Sequence, residues 1–197
     1  KRRAVELAPN DADALANLSA ERAGELDTLL NGKSAVEIQA LMADGQLNAV
    51  DLVTHYVDRI QRYDLNRLNS VIELNPEALV IAAQLDAERV AGTVRGPLHG
   101  IPVLLKDNIA TGDQMHTTAG AYALRDWQAD RDAFLVQKLR DAGAIILGKA
   151  NLSEWANYMD PCMPSGFSAV GGQTRHPYGP FDPLGSSSGS AVSVAAD

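Results

Sequence analysis

From Gly100 to Lys106 the chain reads Gly-Ile-Pro-Val-Leu-Leu-Lys, and from Gly143 to Gly148 it reads Gly-Ala-Ile-Ile-Leu-Gly. Each apolar run is short and continuous, which predicts a strand buried on both faces of a sheet. Residues 130–142 between them have helical spacing. Three apolar residues of this helix are predicted to face inward: Phe134, Leu135 and Leu139. A strand, a helix and a strand joined at glycines form a crossover unit, so the sequence predicts an α/β fold with a substantially parallel sheet.

The chain divides into two predicted parts. Residues 1–32 are rich in Ala, Leu, Asp and Glu at helical spacing, and we interpret them as a helical extension that either packs on the body or projects from it. Residues 33–197 form the main domain. In this domain residues 70–74 predict a strand, and Pro76 is expected at the first position of a helix that runs to about Val90.

Helix starts can be read from capping residues. Ser34 and Glu37 have the spacing of a capping box, which predicts that a helix begins at this point. Asn48 and Asn151 are each expected to cap a helix as well.

Residues 161–190 differ from the rest of the chain because Gly, Pro and Ser dominate them. A loop of this length in an α/β protein is typical of a functional segment.

Composition excludes some classes of function. The chain is 46% hydrophobic and 21% charged, which is typical of a globular protein. A net charge of −8 argues against a nucleic-acid partner, and no apolar run approaches the roughly 20 residues of a membrane span.

The single cysteine, Cys162, is expected to be a free, buried thiol. Oligomeric state stays open, as does localisation: cytoplasmic, or periplasmic or secreted if a leader was removed before Lys1.

Two segments carry candidate chemistry. Lys106 ends an apolar strand, where desolvation would favour the neutral amine that a general base needs; the alternative is a lysine that reaches solvent. The run Gly-Ser-Ser-Ser-Gly-Ser-Ala, from Gly185 to Ala191, precedes a predicted helix start. It suits an ordered site, a flexible linker or a phosphate-binding turn, although the P-loop pattern is missing. The four histidines, His55, His99, His116 and His176, have no metal-ligand spacing.

These segments together resemble the amidase signature family. The stretches that carry the resemblance are Gly100–Asn108, Thr117–Gly120, Ala144–Glu154, Gly171–Tyr178 and Leu184–Ala191. The third serine of the last stretch and the Gly-Gly-Gln-Thr-Arg run make the chain most similar to the peptide amidase branch. The resemblance implies a three-layer α/β/α fold on a large mixed sheet, of which this chain would hold the N-terminal part.

The family's catalytic residues transfer by position. The resemblance implies that Lys106 is the base, held neutral, and that Ser186 is the bridging serine of a Ser–cis-Ser–Lys triad, with a cis peptide bond after Gly185. Asp107 and Asn108 would either position Lys106 or have a purely structural role. The nucleophilic serine is expected about two dozen residues after Ser186, beyond the sequence given.

The resemblance also implies a substrate and a reaction. Asn157 and Tyr158 would line the substrate cleft, and no metal or organic cofactor is implied. We expect hydrolysis of a carboxamide through an acyl-serine intermediate, with a small amide or an amidated peptide as substrate and no nucleic acid or membrane as partner. Two alternatives remain open. One is the amidase subunit of a tRNA-dependent amidotransferase, and the other is a non-catalytic truncated paralogue that acts as a binding or scaffold protein.

Overall fold

A computed structural model describes residues 5–160 and 162–197. Residues 1–4 of the predicted extension and Pro161 of the Gly/Pro/Ser-rich segment lie outside the described part. The helices are α1 (Pro9–Asn17), α2 (Ala20–Leu30), α3 (Ala35–Ala43), α4 (Ala49–Arg59), α5 (Ala78–Val90), α6 (Phe134–Asp141) and α7 (Ser188–Ala195), with irregular helical segments at Ile60–Leu68, Tyr122–Leu124 and Glu154–Asn157. The strands are β1 (Val71–Leu74), β2 (Pro102–Lys106), β3 (Ile145–Ala150), β4 (Phe167–Ser168) and β5 (Gly172–Gln173).

The central sheet of the described residues is mixed, with strand order β1-β3-β2. β2 and β3 are parallel and α6 lies in the connection between them, whereas β1 is antiparallel to β3. Ile145 and Leu147 belong to a large apolar core with α2, α4 and α5, and Ile146 belongs to a smaller core with Val136 of α6. The sheet therefore has helices on both faces, which confirms the predicted α/β class.

A β-bulge interrupts the pairing of β2 with β3. Val103 pairs with Ile146, but the next residue, Leu104, pairs with Gly148, so Leu147 is an extra residue on β3. A bulge of this kind shifts the alternation of the side chains that follow it. Beyond the bulge Leu105 pairs with Lys149 and Lys106 pairs with Ala150.

The N-terminal helices pack on the body of the protein. Leu26 and Leu30 of α2 are fully buried in the large core, beside Leu52 and Val53 of α4. The predicted caps that start the next two helices are present, with the Ser34–Glu37 capping box on α3 and Asn48 accepting a hydrogen bond from the backbone N–H of Asp51 on α4. None of the helices in the described ranges is long and apolar enough to cross a bilayer.

The predicted orientation of α6 is partly wrong. The helix begins at Phe134, four residues later than expected, and Phe134 and Leu135 are 79% and 52% exposed. The inward residues are Val136, which is fully buried, and Leu139, which packs against the small core. Leu135 and Val136 lie four and three residues before Leu139, so helix geometry allows either to share its face, and the packing against the small core selects Val136.

The prediction that β2 is buried on both faces is also wrong. Pro102, Val103 and Leu104 are only half-buried, because β2 is the edge of the described sheet and borders a cavity of about 430 Å³. β3 is buried along its whole length, as predicted.

Two local expectations also differ from the structure. α5 begins at Ala78 rather than at Pro76, because the Asn75 side chain accepts a hydrogen bond from the Glu77 N–H and donates one to the Ile146 carbonyl, which holds these residues in a turn. Cys162 is a free thiol but is exposed, since it lies in a polar surface turn whose backbone N–H bonds Asp160.

Candidate active site

Lys106 lies at the carboxyl end of β2 and points at the start of α7. Its Nζ donates a hydrogen bond to Ser186 Oγ at 2.6 Å, although 79 residues separate the two in the chain. The side chain is half-buried, and desolvation lowers the pKa of its amine below the usual lysine value. The predicted pair of residues is therefore in direct contact, and the environment favours the uncharged amine.

Ser186 is fixed by its own backbone. The Gly185–Ser186 peptide bond is cis, as predicted, and the Ser186 carbonyl accepts a hydrogen bond from the Ser153 N–H at 3.0 Å. A Cβ at Gly185 would lie 2.6 Å from Ser153 Oγ, so a larger residue has no room at this position. Ser153 Oγ in turn accepts a hydrogen bond from the Gly166 N–H. Sequence reasoning missed Ser153, because nothing in its local pattern distinguishes it from an ordinary turn serine.

Asn151 connects the segments around the site. Its Nδ2 donates to the Gly172 carbonyl and to Thr174 Oγ1, both at 3.0 Å, and its Oδ1 accepts from Ser168 Oγ at 2.7 Å. Its carbonyl accepts from the Gly189 N–H, which anchors α7. Asn151 therefore does not cap the helical turn at Glu154–Asn157, because its side chain is fully occupied with this buried network.

A buried acid and a buried base lie behind Lys106. Asp107 accepts hydrogen bonds from the Thr118 hydroxyl and N–H, and its burial raises the pKa of the carboxyl to about 6. Lys149 has no exposed surface, and its Nζ donates to the Ile109 carbonyl and to Thr117 Oγ1, both at 2.9 Å. Burial lowers the pKa of Lys149, while the charge of Asp107 opposes that shift.

The role of Lys149 was not anticipated from the sequence. A lysine inside an otherwise apolar strand was the available signal, since lysine is almost never fully buried without a partner. Asn108, by contrast, is exposed.

The two predicted cleft residues differ in position. Asn157 is half-buried, and its Oδ1 lies 3.6 Å from the place of a Cβ on Gly185, next to the cis peptide. Tyr158 is 89% exposed, and its ring makes no contact with the Lys106–Ser186 pair among the described interactions. Trp155, Ala156 and Asn157 all have left-handed backbone angles, with φ of 48°, 57° and 63°. This unusual turn brings Asn157 next to Gly185, while the Tyr158 side chain points to solvent.

A second amine–hydroxyl pair, Lys149 with Thr117, is buried, whereas the Lys106 side chain is half-buried. Ser188 Oγ donates to the Leu184 carbonyl at the start of α7, so its proton is already engaged. Within the described residues no three His, Cys, Asp or Glu side chains are placed to hold a metal ion. The arrangement that remains is a weakly basic amine hydrogen-bonded to a serine hydroxyl, which can carry a proton between them.

Comparison with known proteins identifies close relatives of this chain. The family model described as Amidase matches residues 51–197. A Schizosaccharomyces pombe protein that carries an amidase name is 48% identical over 162 residues, which is 82% of this chain and 28% of that protein. One of the subunits of the glutamyl-tRNA(Gln) amidotransferase of Thermobifida fusca is 41% identical over 83% of this chain and 32% of its own length.

A solved structure is also similar to this chain. The native peptide amidase from Stenotrophomonas maltophilia superposes with a TM-score of 0.79 at 52% identity, covering 83% of this chain and 34% of that one. The chain thus spans about a third of the length of the relatives that it matches.

Proposed function

Because the chain belongs to the amidase signature family, we propose that it contributes the base and the bridging serine to an enzyme that hydrolyses a carboxamide. We further propose the C-terminal amide of a peptide as the substrate. The 52% identity to a peptide amidase supports this choice of substrate. The half-buried Asn157 amide beside Gly185 would be a hydrogen-bonding group for the substrate, and Tyr158 would contribute to the rim of its cleft.

The single observation that carries the proposal is the 2.6 Å contact between Lys106 Nζ and Ser186 Oγ. In the proposed reaction the neutral amine of Lys106 accepts the Ser186 proton, while Ser186 takes the proton of a nucleophilic serine. That serine is expected about two dozen residues after Ser186, outside the sequence given. Its oxygen bonds to the amide carbon, the C–N bond breaks, and the relayed proton leaves with ammonia or an amine. Water then hydrolyses the acyl-serine and releases the acid.

Depression of the Lys106 pKa is what this relay requires. A protonated lysine has no free electron pair, so it cannot accept the Ser186 proton. Burial of the side chain lowers the pKa and increases the fraction of neutral amine near pH 7.

The proposal can be tested on the complete natural polypeptide with a fluorophosphonate probe and an amidated dipeptide. We expect covalent labelling and ammonia release by the natural protein, and a 10²–10⁴-fold loss of both rates in Lys106→Ala. Lys33→Ala is the matched control, because Lys33 is an exposed lysine whose side chain pairs with Glu37 and lies outside the Lys106–Ser186 pair. If well-folded natural protein is neither labelled nor active, the non-catalytic scaffold alternative replaces this proposal.

A second candidate is the amidase subunit of a tRNA-dependent amidotransferase. The 41% identity to one of the subunits of such an enzyme favours it, since that relative matches the same part of the chain. Under this alternative the natural polypeptide would release ammonia from glutamine only together with partner subunits and acylated tRNA. Release of ammonia from amidated peptides by the isolated polypeptide would exclude it.

A further inference from the structure

A groove lies on the surface next to the segment that leads to Ser186. It has a volume of about 560 Å³ and is bounded by the turn at residues 66–68 and by the segment at residues 173–183. A volume of this size is in the usual range for a small-molecule site. Pro183, at one end of the groove, precedes Gly185 by two residues and packs beside Gly166.

The charge of the groove differs from that of the whole protein. The chain carries a net charge of −8, yet no Asp or Glu is among the described residues that line the groove. Arg67 and Arg175 line it instead, and both are exposed. A site that concentrates positive charge in an acidic protein attracts anions.

These two arginines are also unusual because their guanidinium groups have no partner among the described residues. Most arginines of the described ranges bond carboxylates or carbonyls; for example, Arg59 bonds Asp27 and Arg140 bonds Asp113 and Asp132. In the part of the chain that the structure describes, the arginines without a side-chain hydrogen bond or ion pair are Arg67, Arg131 and Arg175. Two of these three guanidinium groups therefore line the same groove.

The remaining lining combines apolar surface with the polar side chains of Asn66, Gln173, Thr174 and His176. The backbone N–H of Tyr178 donates to Nδ1 of His176, which assigns the ring proton to Nε2 and leaves that nitrogen as a donor. The His176 ring packs edge-on against Phe181, with 5.3 Å between the ring centres. Pro180 and Phe181 supply apolar lining next to the two arginines.

We infer that this groove binds an oxyanion carried on an apolar body, an organic carboxylate or phosphate ester, through the guanidinium groups of Arg67 and Arg175. The planar fork of a guanidinium matches both kinds of oxyanion, and the apolar lining favours a ligand with a hydrophobic part. The groove is separate from the Lys106–Ser186 pair, because neither residue lines it.

The test is calorimetric titration of the complete natural polypeptide with benzoate, phenyl phosphate and the neutral benzyl alcohol. We expect one of the two anions to bind and benzyl alcohol not to bind, and the tighter anion identifies the ligand as a carboxylate or a phosphate ester. Arg67→Gln and Arg175→Gln should each weaken that binding by about tenfold or more. Arg131→Gln is the matched control, since Arg131 is exposed and has no side-chain partner among the described residues but lies outside the groove.

Three outcomes would overturn the inference: no binding of either anion, binding unchanged in both groove variants, or equal weakening in Arg131→Gln, which would indicate unspecific attraction. Lys106→Ala separates the groove from the proposed catalytic site. Binding that survives in Lys106→Ala and is lost in Arg175→Gln supports the groove, whereas binding lost in Lys106→Ala would assign the anion to the cleft and contradict the inference.

Discussion

At the scale of single residues, two lysines of one sheet are both partly or fully buried but differ in their hydrogen-bond partners. Both have a pKa lowered by burial. Among the described residues Lys149 bonds the Ile109 carbonyl and the Thr117 hydroxyl, whereas Lys106 bonds the hydroxyl of Ser186 at the start of α7. The strand pairing places them one position apart in register, so they point to opposite faces of the sheet. The same kind of side chain is therefore a structural support on one face and a candidate base on the other.

The lowered pKa of Lys106 gives a prediction for pH dependence. The neutral amine is the active form, so kcat/KM should fall as pH falls through the pKa of Lys106, and the midpoint should lie below the usual lysine value of 10.5. Lys106→Arg should be inactive at every pH, because a guanidinium does not lose its proton in proteins. A rate profile from about pH 5 to about pH 10 measures both. A natural profile that is flat over this range would contradict the role of Lys106 as a base.

The raised pKa of Asp107 predicts a pH effect on stability. The folded-state pKa of about 6 lies above the ordinary value of 3.8, so the folded protein holds this proton more tightly than the unfolded chain. The resulting stabilisation is complete below about pH 4 and is lost as pH rises through about 6, on the order of 3 kcal/mol. In Asp107→Asn this pH dependence should disappear from the free energy of unfolding in urea, measured at about pH 4 and about pH 7.

The exposed Asp130→Asn variant is the control for this prediction and should follow the natural protein at both pH values. If Asp107→Asn has the same pH dependence as the natural protein, folding does not raise the pKa of Asp107 and the prediction is wrong.

At the scale of elements, the close approach of α7 to the strands depends on one glycine. A Cβ on Gly189 would lie 2.4 Å from the carbonyl oxygens of Asn151 and Ser70, which are backbone atoms and cannot rotate away. Gly189→Ala should therefore push α7 outward, lower the free energy of unfolding by about 1–3 kcal/mol and reduce amidase activity by separating Ser186 from Lys106. Urea denaturation and the amidated-dipeptide assay measure the two effects.

Gly24 supplies the matched control for the α7 prediction. It lies in the middle of α2, and a Cβ there would have no atom within 4 Å. Gly24→Ala should raise the free energy of unfolding by about 0.5–1 kcal/mol and leave activity unchanged. A Gly189→Ala protein as stable and active as this control would show that α7 is not packed as described.

Elements with a strong local signal could be predicted from the sequence, and those set by tertiary contacts could not. The start of α4 follows from Asn48, and the buried strand β3 follows from its apolar run. The face of α6 does not follow from its sequence, because Phe134, Leu135 and Val136 are all apolar and the packing against β3 selects Val136. The exposure of β2 depends on which strand lies beside it, which its own residues do not encode.

The same division holds for the candidate site. Lys106 and Ser186 could be paired in advance because both lie in stretches that resemble a known family. Ser153, Asn151 and Lys149 could not, because their roles come from contacts made by residues distant in the chain.

At the scale of the whole molecule, the N-terminal helices and the main domain share one core. Leu26 of α2 has no exposed surface and belongs to the same apolar cluster as Ile145 of the sheet. Leu26→Ala should therefore lower the free energy of unfolding of the whole protein by about 2–5 kcal/mol in a single transition. Val36→Ala, at a 78% exposed position of α3, should change it by less than about 0.5 kcal/mol. Two separate transitions in urea would instead show that residues 1–32 unfold as an independent unit.

The bulge in β3 has a consequence for how this chain can vary in length. Leu147 is the extra residue that places Lys149 on the face of Leu105 and Ala150 on the face of Lys106. Deletion of Leu147 would remove the bulge and restore regular alternation, but Lys149 would still pair with Leu105 and Ala150 with Lys106, so both lysines would keep their faces of the sheet. The strand pairing therefore accommodates the loss of this one residue, whereas the adjacent Gly148 has no room for a side chain, since a Cβ there would lie 2.4 Å from the Glu73 carbonyl oxygen.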